Sequence, residues 1–457
     1  MGKNNRFDTF HKLREQHPQF FYHGYSYKFE NEEFIIEYHF SMGEAYHFRP
    51  THRIHIPSQL KWQTIQETEL EQLVFHLGMV EVISYWKASC SPQLIIKKFA
   101  LTNKQILWWK KLYFQGLGEF FYLNEIQTND HDFMDIICQS DRELQMFDSS
   151  TSQNRVMVAV GGGKDSVVSL ELIKSMGKEV IPMVINPRGA TIKSIENAKF
   201  KMSHAITTRR SIAAELLELN KIGYLNGHTP FSAMLAFLTL LVSRMMDIKY
   251  VALSNESSAN ESTVAGTNIN HQYSKSFEFE QDFRNYYQEN LLKQQEYFSF
   301  LRPLSELQIA CLFSRFKQHH YSFRSCNAGS KENIWCGNCP KCLFTYILLS
   351  PFIPQASLSK IFGKKLLDDT RLTPVFNELR GKTTSKPFEC VGTVSEVELA
   401  LSNAQKEYRS EALLKDARLE RQTEKLNMTL KEWNQQHFLP EEFENVLHKQ
   451  LKLCWIS

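Results

Sequence analysis

Six consecutive residues, Gly161-Gly162-Gly163-Lys164-Asp165-Ser166, combine backbone freedom with polar and charged side chains. They follow the apolar run from Arg155 to Val160 and precede a helical stretch from Ser166 to Met176. The pattern therefore reads strand, loop, helix. Successive glycines let a backbone turn tightly and aim its N–H groups at an anion. The start of a helix adds unpaired N–H groups and a partial positive charge. Ser166 brings a hydroxyl donor and Lys164 a full charge. The chemistry this suits is phosphate binding. In an open α/β sheet, ligands sit at the carboxyl ends of strands, where this loop falls.

The loop is not a Walker A motif, because Asp165 follows Lys164 and Val158 occupies the earlier glycine position. It lacks the third glycine of the dinucleotide fingerprint. It resembles the SGGxDS loop of the PP-loop ATP pyrophosphatases, with Gly161 where that pattern has its first serine. The resemblance implies that ATP binds at Gly161, Gly162, Gly163, Lys164, Asp165 and Ser166. It also implies cleavage between the α and β phosphates, often through an adenylated intermediate. Two further loops support it. Asn226 to Pro230 precedes a long apolar helix, where related enzymes keep a substrate-side loop. Ser254 to Ser257 follows a strand and could bring Glu256 to the same rim as a Mg²⁺ ligand. The plainer alternative is that both are polar loop caps.

Cys326, Cys336, Cys339 and Cys342 form the pattern Cys-x9-Cys-x2-Cys-x2-Cys. Two-residue spacings let neighbouring thiolates turn back on one ion, and four thiolates complete a tetrahedral Zn²⁺ site. With all four positions filled, a structural role is expected. The pattern resembles the zinc element of the 7-cyano-7-deazaguanine synthases, a PP-loop branch. An iron–sulfur cluster is the main competitor, and four free thiols the bland reading. Cys90, Cys138, Cys311, Cys390 and Cys454 show no ligand spacing and read as core or incidental. Metal rather than disulfides is expected.

The elements that must position these groups fall into three regions. Residues 1 to 150 read as an α+β domain for substrate recognition. Strands are expected at Phe34 to Phe40, Arg53 to Ile56 and Leu94 to Lys97. Helices are expected at 65 to 89 and beyond a Thr102 or Asn103 cap. Trp86, Trp108 and Trp109 read mainly as core. Gly116 to Ile126 reads as a turn and a strand, and Asp141 to Asn154 as a polar linker. Residues 151 to 350 read as a PP-loop domain, an α/β fold with a parallel sheet and helices on both faces. Its strands are 155–160, 179–185, 205–208 and 249–253, and it carries the cysteine element. Residues 351 to 457 read as mostly helical, with a solvated charged hairpin over 402 to 436. The 53 basic and 50 acidic residues balance to +3, so charge alone gives no support for nucleic-acid binding. The first residues carry no apolar segment and no stretch is long enough to span a membrane, so a cytoplasmic enzyme is expected.

Over residues 20 to 350 the resemblance narrows. Leu77 to Lys87, Gly116 to Asn124, the glycine loop, the SNES loop and the WCGNCPKC segment look like the UDP-N-acetylmuramoyl-L-alanyl-L-glutamate epimerases of bacterial cell-wall synthesis. This implies a UDP-sugar dipeptide as the small-molecule substrate, with ATP and Mg²⁺. The chemistry fits. The α-proton of a glutamate is weakly acidic beside a charged carboxylate. An acyl adenylate cancels that charge and makes the carbonyl an electron sink, each pKa unit gained being worth about 1.4 kcal/mol of barrier. His228, Glu256 and Glu261 are base or acid candidates by loop position alone. Two other classes compete: a PP-loop enzyme adenylating a tRNA or nucleobase, and a zinc-stabilised nucleotide sensor. No feature of the sequence sets an oligomeric state.

Overall fold

The computed structural model describes residues 6–58, 60, 65–148, 151, 154–264, 266–267, 269–415 and 419–455. Eleven strands lie among them: β1 (Gln19–Glu30), β2 (Glu33–Met42), β3 (Tyr46–Phe48), β4 (Thr51–His55), β5 (Gln93–Ile96), β6 (Asp135–Cys138), β7 (Arg155–Ala159), β8 (Glu179–Ile185), β9 (Ile206–Arg210), β10 (Tyr250–Leu253) and β11 (Glu296–Ser299). Seventeen α-helices accompany them among the described residues, and the fold class is α/β. The chain divides into two compact units. The first is Met1–Gln153, Ile206–Val251 and Ile269–Glu296; the second is Asn154–Ala205, Ala252–Asn268 and Tyr297–Ser457.

In the first unit the strand order is β9-β4-β2-β1-β5-β6, with β3 also on β2. β1 and β2 alternate aromatic with polar residues and pair antiparallel, Tyr22 opposite Phe40. β5 and β6 run parallel to β1. The helix Glu67–Trp86 is apolar almost all round and buries sixteen residues, as a core helix must. It packs on the equally apolar helix Phe231–Met245. Thr102 caps the helix Asn103–Gly116 through a capping box with Gln105. Trp86 and Trp109 are fully buried, and Trp109 donates to the Tyr286 hydroxyl at 3.0 Å. Core is therefore what these rings form.

Two expectations change here. Gly118 to Leu123 is a helix, not a strand, and buries the consecutive residues Glu119, Phe120 and Phe121. The strand expected near 205–208 exists as β9, but it pairs antiparallel with β4, Ile54 opposite Thr208. Its last residue supplies a reason. Arg210 donates from Nε (2.8 Å) and Nη2 (2.7 Å) to the fully buried Glu81 carboxylate, which also accepts from His52 Nε2 at 3.1 Å. Burial alone would raise the Glu81 pKa, but Arg210 and His52 outweigh it and hold it at about 2. A carboxylate depressed in the folded state contributes stability above its unfolded pKa of about 4.3, and that contribution is lost as pH falls toward 2. Glu81→Gln should therefore cost about 3–5 kcal/mol at pH 7 by leaving Arg210 without its anion. Denaturant midpoints at pH 7 and pH 3 check this, with the gap between variant and wild type narrowing at pH 3.

In the second unit β7 lies between β8 and β10, with β11 beyond β10. β7 and β8 are parallel, Val156 opposite Val180. The helix Lys164–Lys174 connects them and contacts both. Residues 402–436 are not a solvated hairpin. The described residues among them comprise the end of the helix Val394–Asn403, a 3-10 turn at Lys406–Ser410, the short helices Ala412–Lys415 and Thr423–Thr429, and irregular chain. Among their apolar residues Leu413, Leu414, Leu426 and Leu430 are buried, Leu419 is half-buried and Met428 is exposed. Tyr408 donates to the Ile353 carbonyl at 2.7 Å and Asn403 to the Gln422 carbonyl at 3.2 Å, so the charged segment is tied down. Cys311 and Cys454, read as incidental from sequence, are joined in a disulfide across 143 residues.

Candidate active site

The glycine loop sits where expected, between β7 and the helix Lys164–Lys174. Gly162 has φ +84°, and a Cβ there would meet the Thr191 nitrogen at 2.9 Å, so only glycine fits. Gly163 caps the helix. The Gly162 N–H donates to Ser166 Oγ at 3.1 Å, and that hydroxyl donates to the Gly163 carbonyl at 3.1 Å. The Arg324 backbone N–H closes the loop from outside by donating to the Gly162 carbonyl at 2.8 Å. Gly161 is exposed, and a Cβ there would meet nothing within 4 Å. The serine missing from that position relative to the SGGxDS pattern is thus not excluded by space.

Lys164 turns inward. Its side chain is 3% exposed, and its ammonium is ion-paired with both Asp165 and Glu306. Burial opposes its charge, but the two carboxylates win and hold its pKa above the usual lysine range. Glu306 is also pushed well up, first by burial and then by Asp165, Glu256 and Glu396, against the pull of Lys164. One ammonium therefore faces an excess of carboxylates. Glu396 accepts the Glu306 N–H at 2.6 Å while forming a capping box with Thr393. A cavity of about 320 Å³ beside this cluster is lined by Ser257, Ser258, Ser305, Thr393, Glu396 and Lys425.

Of the three acid–base candidates, Glu256 is buried, accepts from Ser258 Oγ at 3.1 Å, and its carbonyl accepts from Arg302 Nη1 at 2.6 Å. Glu261 is exposed and paired with Lys386. His228 lies in the first unit, beside Glu119 and His271.

The four cysteines converge. Their sulfurs are 3.5 Å (Cys339–Cys342), 3.6 Å (Cys339–Cys326) and 3.7 Å (Cys336–Cys342) apart. A tetrahedron of thiolates at about 2.3 Å from zinc has edges of about 3.8 Å, so the set fits one ion. Backbone N–H groups of Gly329 and Gly337 point at Cys326 Sγ (3.2 Å) and Cys342 Sγ (3.3 Å), as thiolates require. Gly337, at φ +68°, makes the turn, and Pro340 starts the helix Pro340–Leu349. These four residues could hold a metal ion.

The sequence matches the model of the MurL N-terminal domain over residues 11–300 and that of the MurL C-terminal domain over 322–432. A UDP-N-acetyl-alpha-D-muramoyl-L-alanyl-L-glutamate epimerase of Xanthomonas oryzae pv. oryzae is 32% identical over 358 residues, 76% of this chain and 78% of the relative. Proteins of the same name from a Micromonospora species and from Salinispora tropica are each 35% identical over 332 residues, 71% of this chain and 73% and 71% of theirs. The chain belongs to the MurL family.

As a MurL family member the chain is an epimerase, an enzyme of the isomerase class. The glycine loop falls in the N-terminal match and all four cysteines in the C-terminal one. Sequence reasoning missed Glu306 and Glu396. Local signals were present: Ser305-x-x-Gln308 and Thr393-x-x-Glu396 are capping-box patterns that mark helix starts and put a glutamate in each first turn. No described helix is long and apolar enough to cross a membrane.

Proposed function

We propose that this MurL family epimerase inverts the terminal L-glutamate of UDP-N-acetylmuramoyl-L-alanyl-L-glutamate to D-glutamate, using ATP and releasing AMP and pyrophosphate. The observation that carries the substrate is the likeness to three proteins of that name over more than two thirds of each chain. The loop geometry supports ATP and a PP-loop arrangement. The backbone at Gly161 to Gly163 leads into a helix N-terminus, a setting that suits phosphates. The excess of carboxylates around Lys164 suits a hard divalent cation, and Asp165, 32% exposed, is the carboxylate that reaches solvent. Asp165 would hold Mg²⁺ there, neutralising phosphate charge. In the reaction, the glutamate α-carboxylate attacks the α-phosphorus and pyrophosphate leaves. A base then removes the α-proton, an acid returns one to the opposite face, and water releases AMP. Glu256 and Glu261 both lie in the loop's own unit; Glu256, buried beside Glu306 where Glu261 is exposed, is the preferred acid–base candidate. The Cys326, Cys336, Cys339 and Cys342 set holds a structural Zn²⁺.

Incubation with the UDP-linked L-Ala-L-Glu substrate, MgATP and the full chain tests this. AMP and D-glutamate, the latter measured after hydrolysis, should accumulate in equal amounts. ADP in place of AMP would overturn the pyrophosphate-cleaving reading.

A further inference from the structure

Glu119, His228 and His271 bring one carboxylate and two imidazoles together, their ligand atoms all within 4.8 Å of one another. They come from three distant chain segments, all in the first unit. Glu119 is in the first turn of the helix Gly118–Leu123. His271 Nδ1 contacts Glu119 Oε2 closely, and His228 Nδ1 lies 3.7 Å from the same oxygen. The two rings are 4.4 Å apart.

Two imidazoles could suggest the base and acid of a two-sided proton transfer. The geometry speaks against it. Groups reaching opposite faces of one carbon, each about 3 Å away, stand roughly 6 Å apart with the carbon between them. Here both rings face the same carboxylate oxygen from closer range. Convergence on one point is what metal ligands do. Donors at about 2.1 Å from a tetrahedral ion lie about 3.4 Å apart, so adjustments of about 1 Å close this set on one ion.

The surrounding structure holds the His228 loop tightly. Asn124 Nδ2 donates to the Asn226 carbonyl at 3.1 Å, and Lys87 Nζ donates to the Gly227 carbonyl. A Cβ on Gly227 would meet the Phe120 ring at 3.0 Å, and one on Gly116 would meet Pro230 at 2.8 Å. The chain on either side of His228 thus lies against the helix that carries Glu119 and the end of the helix before it. Ile269, two residues before His271, lies near Gly118 at the start of the same helix. Sites whose supporting contacts leave little slack are those that hold ligands in register.

We propose that Glu119, His228 and His271 form a second metal centre, separate from the four cysteines, that binds a borderline divalent ion of the Zn²⁺ class. Two imidazoles and a carboxylate favour such an ion over Mg²⁺. Three protein ligands leave a coordination position for water or a substrate oxygen, unlike the closed four-thiolate set.

Zn²⁺ and Co²⁺ are the probes. The stripped and refilled full chain should hold two Zn²⁺ ions. Cys336→Ser with Cys339→Ser should hold one, and His228→Ala with His271→Ala should hold one. Co²⁺ in the cysteine variant should give weak visible bands without thiolate charge transfer. Glu119→Gln, which preserves shape, should weaken Co²⁺ binding in that background at least tenfold. If the histidine variant retains wild-type circular dichroism and as many ions as wild type, the proposal fails. Should that variant not fold, Co²⁺ titration of the wild-type chain decides, and uptake of thiolate-bound ion alone would overturn it.

Discussion

Lys164→Met is expected to lower stability by about 3–5 kcal/mol at pH 8 and to abolish AMP formation. The reason is the buried ion cluster rather than contact with a phosphate. Lys164 is the cation that neutralises Asp165 and Glu306, and both it and Glu306 are almost wholly buried. Removing it leaves the Glu306 carboxylate without a cation where burial and neighbouring Asp165, Glu256 and Glu396 already disfavour its charge. The variant's Glu306 then binds a proton more tightly still. A carboxylate raised in the folded state makes stability fall as pH climbs above its unfolded pKa, by up to about 1.4 kcal/mol per pH unit until it ionises. The defect should therefore be at least as large at pH 8 as at pH 6, growing once Glu306 ionises in the wild-type fold. Adding Glu306→Gln should recover most of the stability and none of the activity. Denaturant unfolding of both variants at the two pH values checks this. An additive double variant, or a defect that shrinks as pH rises, would contradict the coupling.

Cys336→Ser together with Cys339→Ser should remove the ion of the thiolate set and expose the segment around it. Metal binding at such a site contributes on the order of 10 kcal/mol to local folding. Cys339 is the N-cap of the helix Pro340–Leu349, whose residues from Cys342 to Leu349 are buried in the second unit. Losing the ion therefore frees a helix start on which core packing depends. Limited proteolysis should cut the variant between residues 326 and 342 while the wild type stays intact, and its thermal midpoint should drop. Chelation of wild type should reproduce both effects. An unchanged digestion pattern in metal-free protein would show that the four thiols need no ion.

Features encoded locally were legible in the sequence. β8 falls at Glu179–Ile185 as its apolar run indicates, because a buried parallel strand has no polar face to blur its ends. The glycine loop and the cysteine spacing are local too, since both work through turns a few residues long. What escaped was contact between distant residues. Lys164 meets Glu306 across 142 residues, and His271 meets Glu119 across 152. Cys311 and Cys454 carry no shared spacing. β9 follows a helix as the preceding strands do, yet Arg210 belongs with Glu81, and nothing near Arg210 in sequence announces that partner. The charged stretch after residue 402 misled because charge density hides a few buried leucines and the hydrogen bonds that fold it onto its own unit.

The central claim is that ATP is spent to make the glutamate α-proton removable, and solvent exchange tests it most directly. The full chain and the UDP-linked L-Ala-L-Glu substrate are held in D₂O, with and without MgATP, and deuterium at the glutamate α-carbon is followed by mass spectrometry. Deuterium should appear only with ATP and in step with AMP. Exchange or inversion without ATP, or AMP release without exchange, would contradict the account.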